Sequence, residues 1–219
     1  MTILLIFIYI RTAGSNYHYL RFHNEMNKGD FIIRLYKQNQ TVFTIRELSL
    51  AFPSLSEDQL KNRLSYYARR NRIMRLRRGV YAKEDFNKFE LANKIYTPSY
   101  ISFETVLKKE GIIFQENSAI FAAGYLTRKI KCSDFEISYR KIKNEVLTNS
   151  KGVEKKNNYH IASKERAFLD TIFVYKNYYF DNLSVLNWEK VFDLSGLYKS
   201  KALKKRINQY YKIYREENA

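Results

Sequence analysis

The sequence predicts an α+β protein: a winged helix-turn-helix at the N-terminus, followed by a mixed α+β domain. Two observations carry this expectation. Ser56 to Lys83 (SEDQLKNRLSYYARRNRIMRLRRGVYAK) opens with a helix-start signal, continues as an amphipathic segment, and closes in a short basic hairpin turning at Arg78-Gly79. Beyond Ile112 the hydrophobic period shortens to two, and a capped helical segment returns only at Ser163. The divisions expected are an N-terminal extension over 1–27, the winged helix-turn-helix over 28–83 and the α+β domain over 84–219.

The extension begins with the apolar run MTILLIFIYI. Ten residues are about half of what a spanning helix needs. No basic residue precedes Ile3, and Thr12-Ala13-Gly14 makes a poor cleavage site, so the run does not read as a secretory signal. Initiation at Met26 and a membrane-tethered regulator are its two remaining explanations.

Phe31, Ile32, Leu35 and Tyr36 recur at helical spacing and predict a first helix that Asn39 ends. Thr41 to Thr44 is short and β-branched, a small first strand. Thr44 caps a second helix with Ile45, Leu48 and Phe52 as its apolar stripe, and Pro53 stops it. Ser56 and Gln59 form a capping box for the third helix, with Glu57 and Asp58 favouring its positive end. Leu60, Leu64, Tyr67 and Ala68 share one face of that helix. Ile73 to Arg77 then alternates apolar inward and basic outward, and Val80-Tyr81-Ala82 pairs back after the Gly79 turn.

The candidate DNA-binding residues follow from this arrangement. Lys61, Asn62, Ser65, Tyr66 and Arg69 lie opposite the apolar face, and Arg70 and Arg72 extend the basic edge. Asn and Arg can read base edges, whereas Lys, Ser and Tyr hold phosphates. Arg75, Arg77 and Arg78 of the hairpin are expected on a flanking backbone or in a minor groove. Lys61 to Lys83 holds nine basic residues and no acid, and Asp30 to Lys83 carries a net charge of +8. With six phosphates neutralised, affinity should fall ~10³-fold between about 50 and 200 mM salt. A solvated basic face, or a winged helix that meets an acidic protein, would leave the same pattern.

Composition bounds the partners. The whole chain carries a formal net charge of +17, which favours a polyanion, nucleic acid ahead of an anionic membrane. With 45% hydrophobic and 16% aromatic residues among 219, the chain can bury a core and is not a disordered one. Its single cysteine, Cys132, excludes an internal disulfide and fits a reducing, cytoplasmic setting. That cysteine and His18, His23 and His160 show no zinc-ligand spacing, so neither metal nor cofactor is expected.

In the second part, Phe86, Phe89 and Ala92 to Ile95 predict a linker helix broken at Thr97-Pro98. Ser102 caps a helix over 103–109 that Gly111 ends. Strands are expected around 119–123, 125–130 and 135–139, an exposed lysine-rich loop over 143–158, and a last strand at Tyr159-His160-Ile161. Ser163 caps a helix over 164–175 burying Ala167, Phe168, Ile172 and Phe173, with Leu169 at its flank. Trp188 to Phe192 and a basic amphipathic helix over 200–214 complete the chain.

Four stretches in this order carry a resemblance: Arg72 to Tyr81 (RIMRLRRGVY), Leu91-Ala92 through Pro98 to Leu107 (PSYISFETVL), Gly111-Ile112-Ile113, and Ile161 to Asp170 (IASKERAFLD). Over Phe31 to Tyr175 the chain resembles the AbiEi-type antitoxins of bacterial type IV toxin–antitoxin and abortive-infection systems. The resemblance implies a transcriptional autorepressor that binds inverted repeats in its own promoter. It also implies an antitoxin acting against a nucleotidyltransferase-like toxin encoded beside it. The first 25 residues and the lysine-rich loop before Tyr159 depart from the family's pattern.

No enzyme is expected. Asp134 with Glu154-Lys155-Lys156 matches a loose metal-dependent nuclease pattern, the alternative function, but Glu154 falls where a loop is predicted. Gly111, Gly124 and Gly152 are isolated and form no phosphate loop, and Cys132 has no histidine beside it. Asp170 is expected to bond within its own helix or to a neighbour.

Overall fold

A computed structural model describes residues 28–115, 118–132 and 134–218. The N-terminal apolar run lies outside them. The fold is α+β, and it begins with α1 (Lys28–Tyr36), β1 (Val42–Thr44), α2 (Ile45–Ala51), α3 (Glu57–Arg69), β2 (Met74–Arg77) and β3 (Val80–Ala82). Local chemistry sets these boundaries. The Thr44 hydroxyl accepts the Glu47 N–H at 3.2 Å while the Glu47 carboxylate accepts the Thr44 N–H at 2.9 Å. Ser56 and Gln59 exchange the same pair of bonds at the start of α3.

The three strands form an antiparallel sheet in the order β1-β3-β2, covered on both faces. Phe43, Tyr81 and Ile73 enter a core with Phe31, Leu35, Leu48, Phe52, Leu60, Leu64 and Tyr67 from the helices. Val42, Val80 and Ala82 point the other way and belong to the larger core of the rest of the chain. The two parts therefore share apolar surface along this sheet.

Next comes α4 (Lys88–Ile95), expected as a linker helix, whose Glu90, Leu91, Ala92 and Asn93 are buried. It is held to β1 by polar bonds. The Glu90 carboxylate accepts the Thr41 N–H at 3.0 Å and its hydroxyl at 2.7 Å. Lys94 pairs with Glu90 at 3.2 Å and with Glu47 at 3.0 Å, and donates to the Val42 carbonyl.

The remaining elements are β4 (Ser99–Ile101), α5 (Glu104–Lys109), β5 (Ile120–Gly124), β6 (Arg128–Lys131), β7 (Glu136–Lys141), α6 (Asn144–Leu147), β8 (Val153–Lys156), β9 (Tyr159–Ala162), α7 (Lys164–Val174), α8 (Trp188–Ser195) and α9 (Lys201–Glu217). Six strands form one mixed sheet in the order β6-β7-β5-β4-β9-β8, with β4 parallel to β9 and β5 parallel to β7. On one face Tyr139 donates to the Ala92 carbonyl of α4. On the other, its neighbour Arg140 pairs with Glu104 of α5 and lies against Tyr175 after α7. Helices α8 and α9 pack on α7 on that second side.

Several expectations need correction here. The region 143–158 is not a loop: it holds α6 and the edge strand β8, because Val146 and Leu147 are buried and β8 pairs with β9. Ser102 does not cap α5. Phe103 occupies that position with φ 55° and ψ −141°, while the Ser102 hydroxyl donates to Asp170. The strand expected over 125–130 begins at Arg128. Leu169 is fully buried rather than at a flank, since α7 is enclosed from Glu165 to Ile172.

Candidate nucleic-acid interface

Helix α3 buries Leu60, Leu64 and Tyr67 and turns the opposite side to solvent. At 3.6 residues per turn, Asp58, Asn62, Ser65 and Arg69 form one stripe along that side. Asn62 and Arg69 are exposed and Ser65 is half-buried. Asp58, seen in the sequence only as a helix-start residue, stands at the head of the stripe with its side chain 91% exposed.

Lys61 flanks the stripe and is ion-paired with Glu57 at 2.6 Å and with Asp58 at 3.8 Å. The hydrogen bond it donates to Glu57 is the main cause of an upward shift in the Lys61 pKa, and the charge of Arg78 acts against it. Gly79, at φ +77°, makes the hairpin turn, and its carbonyl accepts the Ile45 N–H at 3.1 Å. This bond seats the hairpin tip on the start of α2.

The ten expected site residues do not all meet on one surface. Strand β2 pairs Arg75 with Tyr81 and Arg77 with Val80, leaving Leu76 as a bulge. An extra residue reverses the alternation of side chains. Arg75 therefore shares the face of Tyr81, toward the helices, whereas Arg77 shares the face of Val80, toward the larger sheet. The charge of Arg77 accordingly acts on Cys132, whose thiol is pushed up by burial and by Asp134, and on Tyr139. The expectation of basic side chains uniformly outward along this strand is corrected by that bulge.

Tyr66, Arg70 and Arg72 form a second group. They line an open groove of about 580 Å³ with Ile32, Ile33, Tyr36 and Tyr67, between α1 and the end of α3. The Arg70 guanidinium lies over the Tyr66 ring at 4.5 Å, and the Tyr36 hydroxyl donates to the Arg72 carbonyl at 2.6 Å. Lys83, counted among the basic residues of this region, donates to the Tyr36 and Gln38 carbonyls and closes the end of α1 instead. Arg46 of α2 is exposed and was not among the expected residues; no motif marks it.

The nuclease-like carboxylates are far apart. Asp134 lies in the β6–β7 turn, paired with Lys88 at 2.7 Å, and Glu154 is on β8. Glu154 is on a strand after all, but β6 and β8 are opposite edges of the six-stranded sheet. Five strand spacings of about 4.8 Å put them roughly 24 Å apart, too far to share an ion. Among the described residues no cluster of His, Cys, Asp and Glu could hold a metal, and no helix is long and apolar enough to cross a membrane.

Two of the resemblance stretches meet in the core. Asp170 accepts from the hydroxyls of Tyr198 at 2.6 Å, Ser102 at 2.8 Å and Tyr100 at 3.0 Å, and from Arg166 Nε at 3.4 Å. Arg166 also donates to Tyr100 and to the Lys151 and Val146 carbonyls. Arg166 and Asp170 are fully buried. Burial pushes the Asp170 carboxyl up, against the pull of Arg166 and the hydroxyls, and burial holds the Tyr100 and Tyr198 phenols well above their ordinary value. Every polar group here is used by another, so this is a structural network that ties α7 to β4 and to α6.

No protein-family model matches the chain, and a comparison with curated proteins finds no match.

Proposed function

We propose that residues 28–83 are a winged helix-turn-helix that binds duplex DNA, and that the protein is an autorepressing antitoxin of a type IV system. The supporting observation is the α3 stripe of Asp58, Asn62, Ser65 and Arg69, flanked by Lys61, on which the charge of Arg78 from the hairpin turn acts. Placed in a major groove, Arg69 and Asn62 suit guanine and adenine edges, and Asp58 can accept from a cytosine amino group. Arg75 and Arg78 then supply phosphate contacts on the hairpin side, joined by Arg46 from α2. The antitoxin role rests on the resemblance of the four stretches, two of which supply Tyr100, Ser102, Arg166 and Asp170 to the buried network; its target is a nucleotidyltransferase-like toxin encoded beside it.

The position of each cation changes the expected salt dependence. Arg77 faces the larger sheet, Arg70 and Arg72 line the groove beside α1, and Lys83 is used internally. About four phosphate contacts remain, which gives a fall of ~10²-fold between about 50 and 200 mM salt rather than ~10³-fold. Fluorescence anisotropy on the gene's own upstream DNA tests this. Binding that ignores salt, or that fails to prefer this DNA over a scrambled duplex, would refute the proposal.

A further inference from the structure

Helix α9 carries a second basic surface, on the opposite side of the large sheet from α4 and the N-terminal unit. Its 17 residues, KALKKRINQYYKIYREE, contain six basic residues and no acid before Glu216. The apolar side of the helix is already used: Leu203 and Ile207 are buried, Arg206 donates to the Ile172 carbonyl, and the Tyr210 hydroxyl bonds the Tyr178 backbone. At 3.6 residues per turn, Tyr211, Lys204, Arg215, Asn208, Lys201, Lys212 and Lys205 fall within about 120° of one another. The five cations are exposed, and only Lys212 has an acidic partner among the described residues, Glu216 at 3.6 Å.

Aromatic rings adjoin this stripe. Half-buried Tyr211 stacks near Tyr214 and packs against Trp188 at 5.1 Å and Phe192 at 5.4 Å. Phe192 is 40% exposed. Duplex DNA offers such rings nothing, because its bases are stacked inside, whereas an unpaired base can lie on an aromatic face. An anionic membrane would take an amphipathic helix by its apolar face, and here that face is buried in the protein.

We propose that the outer face of α9, with Tyr211 and Phe192 at its border, binds a single-stranded polynucleotide independently of the α3 surface. The cations would follow the phosphates while the exposed parts of these rings receive unpaired bases.

The test is fluorescence anisotropy of the full chain with labelled RNA of about 20 nucleotides and mixed sequence, DNA of the same sequence, and the corresponding duplex. Replacing Lys201, Lys204 and Arg215 by alanine removes three exposed charges. At roughly 0.7 per phosphate, the log–log salt slope for either single strand should fall by about 2, and affinity at about 150 mM salt by ~50-fold. Tyr211→Leu keeps the charge and should lose about tenfold on single strands. Binding to the gene's own upstream duplex should stay within about twofold in both variants, so failure of the α3 proposal and failure of this one give different results. Tighter binding of the RNA would identify 2′-hydroxyl contacts, and equal binding would identify phosphate and stacking alone; both support the proposal. Single strands bound no better than random duplex, or unaffected by the triple substitution, would overturn it.

Discussion

Removing the carboxylate of Asp170 tests how much of the larger domain depends on one buried network. Asp170→Ala strips four donors of their acceptor: the hydroxyls of Tyr198, Ser102 and Tyr100, and Arg166 Nε. Arg166, with no solvent exposure, keeps the Lys151 and Val146 carbonyls and the Tyr100 hydroxyl but loses its counter-charge. Breaking a buried pair from one side costs about 3–5 kcal/mol. The three neutral acceptors left to Arg166 argue for the lower end, and stranded hydroxyls, at about 1 kcal/mol each, argue for the upper. A loss of about 4 kcal/mol is expected. With an m-value of roughly 2.5 kcal/mol/M, the urea midpoint followed by circular dichroism should drop by roughly 1.5 M. Adding Arg166→Met to Asp170→Leu should cost less than the two single losses summed, since no uncompensated charge remains. A shift under about 0.4 M for Asp170→Ala would refute the assignment of this cluster as a structural anchor.

Three further outcomes are expected. Lys94→Met leaves the carboxylate of Glu90, which is 1% exposed, facing that of Glu47 without a cation; it should destabilise the chain by about 3 kcal/mol in the same urea assay, and an unchanged midpoint would count against the α4–β1 seam. Tyr100 and Tyr198 are held protonated in the folded state, so their stabilisation is complete below the unfolded phenol value of 10 and is lost as pH rises above it. Absorbance at the phenolate band should show these two, together with buried Tyr139, ionising only with loss of the far-ultraviolet signal, and reversible titration of all tyrosines in the folded protein would contradict this. Asn62→Ala or Arg69→Ala should relax specificity at one base pair by about 1–3 kcal/mol, whereas Arg75→Ala and Arg78→Ala should weaken all duplexes alike and lower the salt slope by about 1 each, all read by competition with single-base operator variants.

The first half of the chain was readable because its signals are local. Caps at Thr44 and Ser56 and the helical spacing of Leu60, Leu64 and Tyr67 act within three or four residues, and the structure follows them. The second half was readable where a helix is strongly capped, as at Ser163, and unreadable where a strand draws its stability from partners distant in sequence. Val153 to Lys156 (VEKK) has no strand signature of its own and is a strand because β9 pairs with it. Ser99 to Ile101 is three residues long, yet it stands inside the sheet between β5 and β9. Ser102 had the chemistry of a helix cap, but a buried carboxylate 68 residues away claimed its hydroxyl.

For the candidate interface the same division holds. Composition and local pattern alone determined that the chain is strongly basic, that α3 has one apolar and one polar side, and that a basic hairpin follows it. Only the tertiary structure decided which cations share a surface. A single bulge at Leu76 sends Arg77 to the face opposite Arg75, and Lys83 is spent on the end of α1. Charge is a property each residue carries with it, whereas a surface depends on register and packing, and those are settled by contacts between residues far apart in the chain.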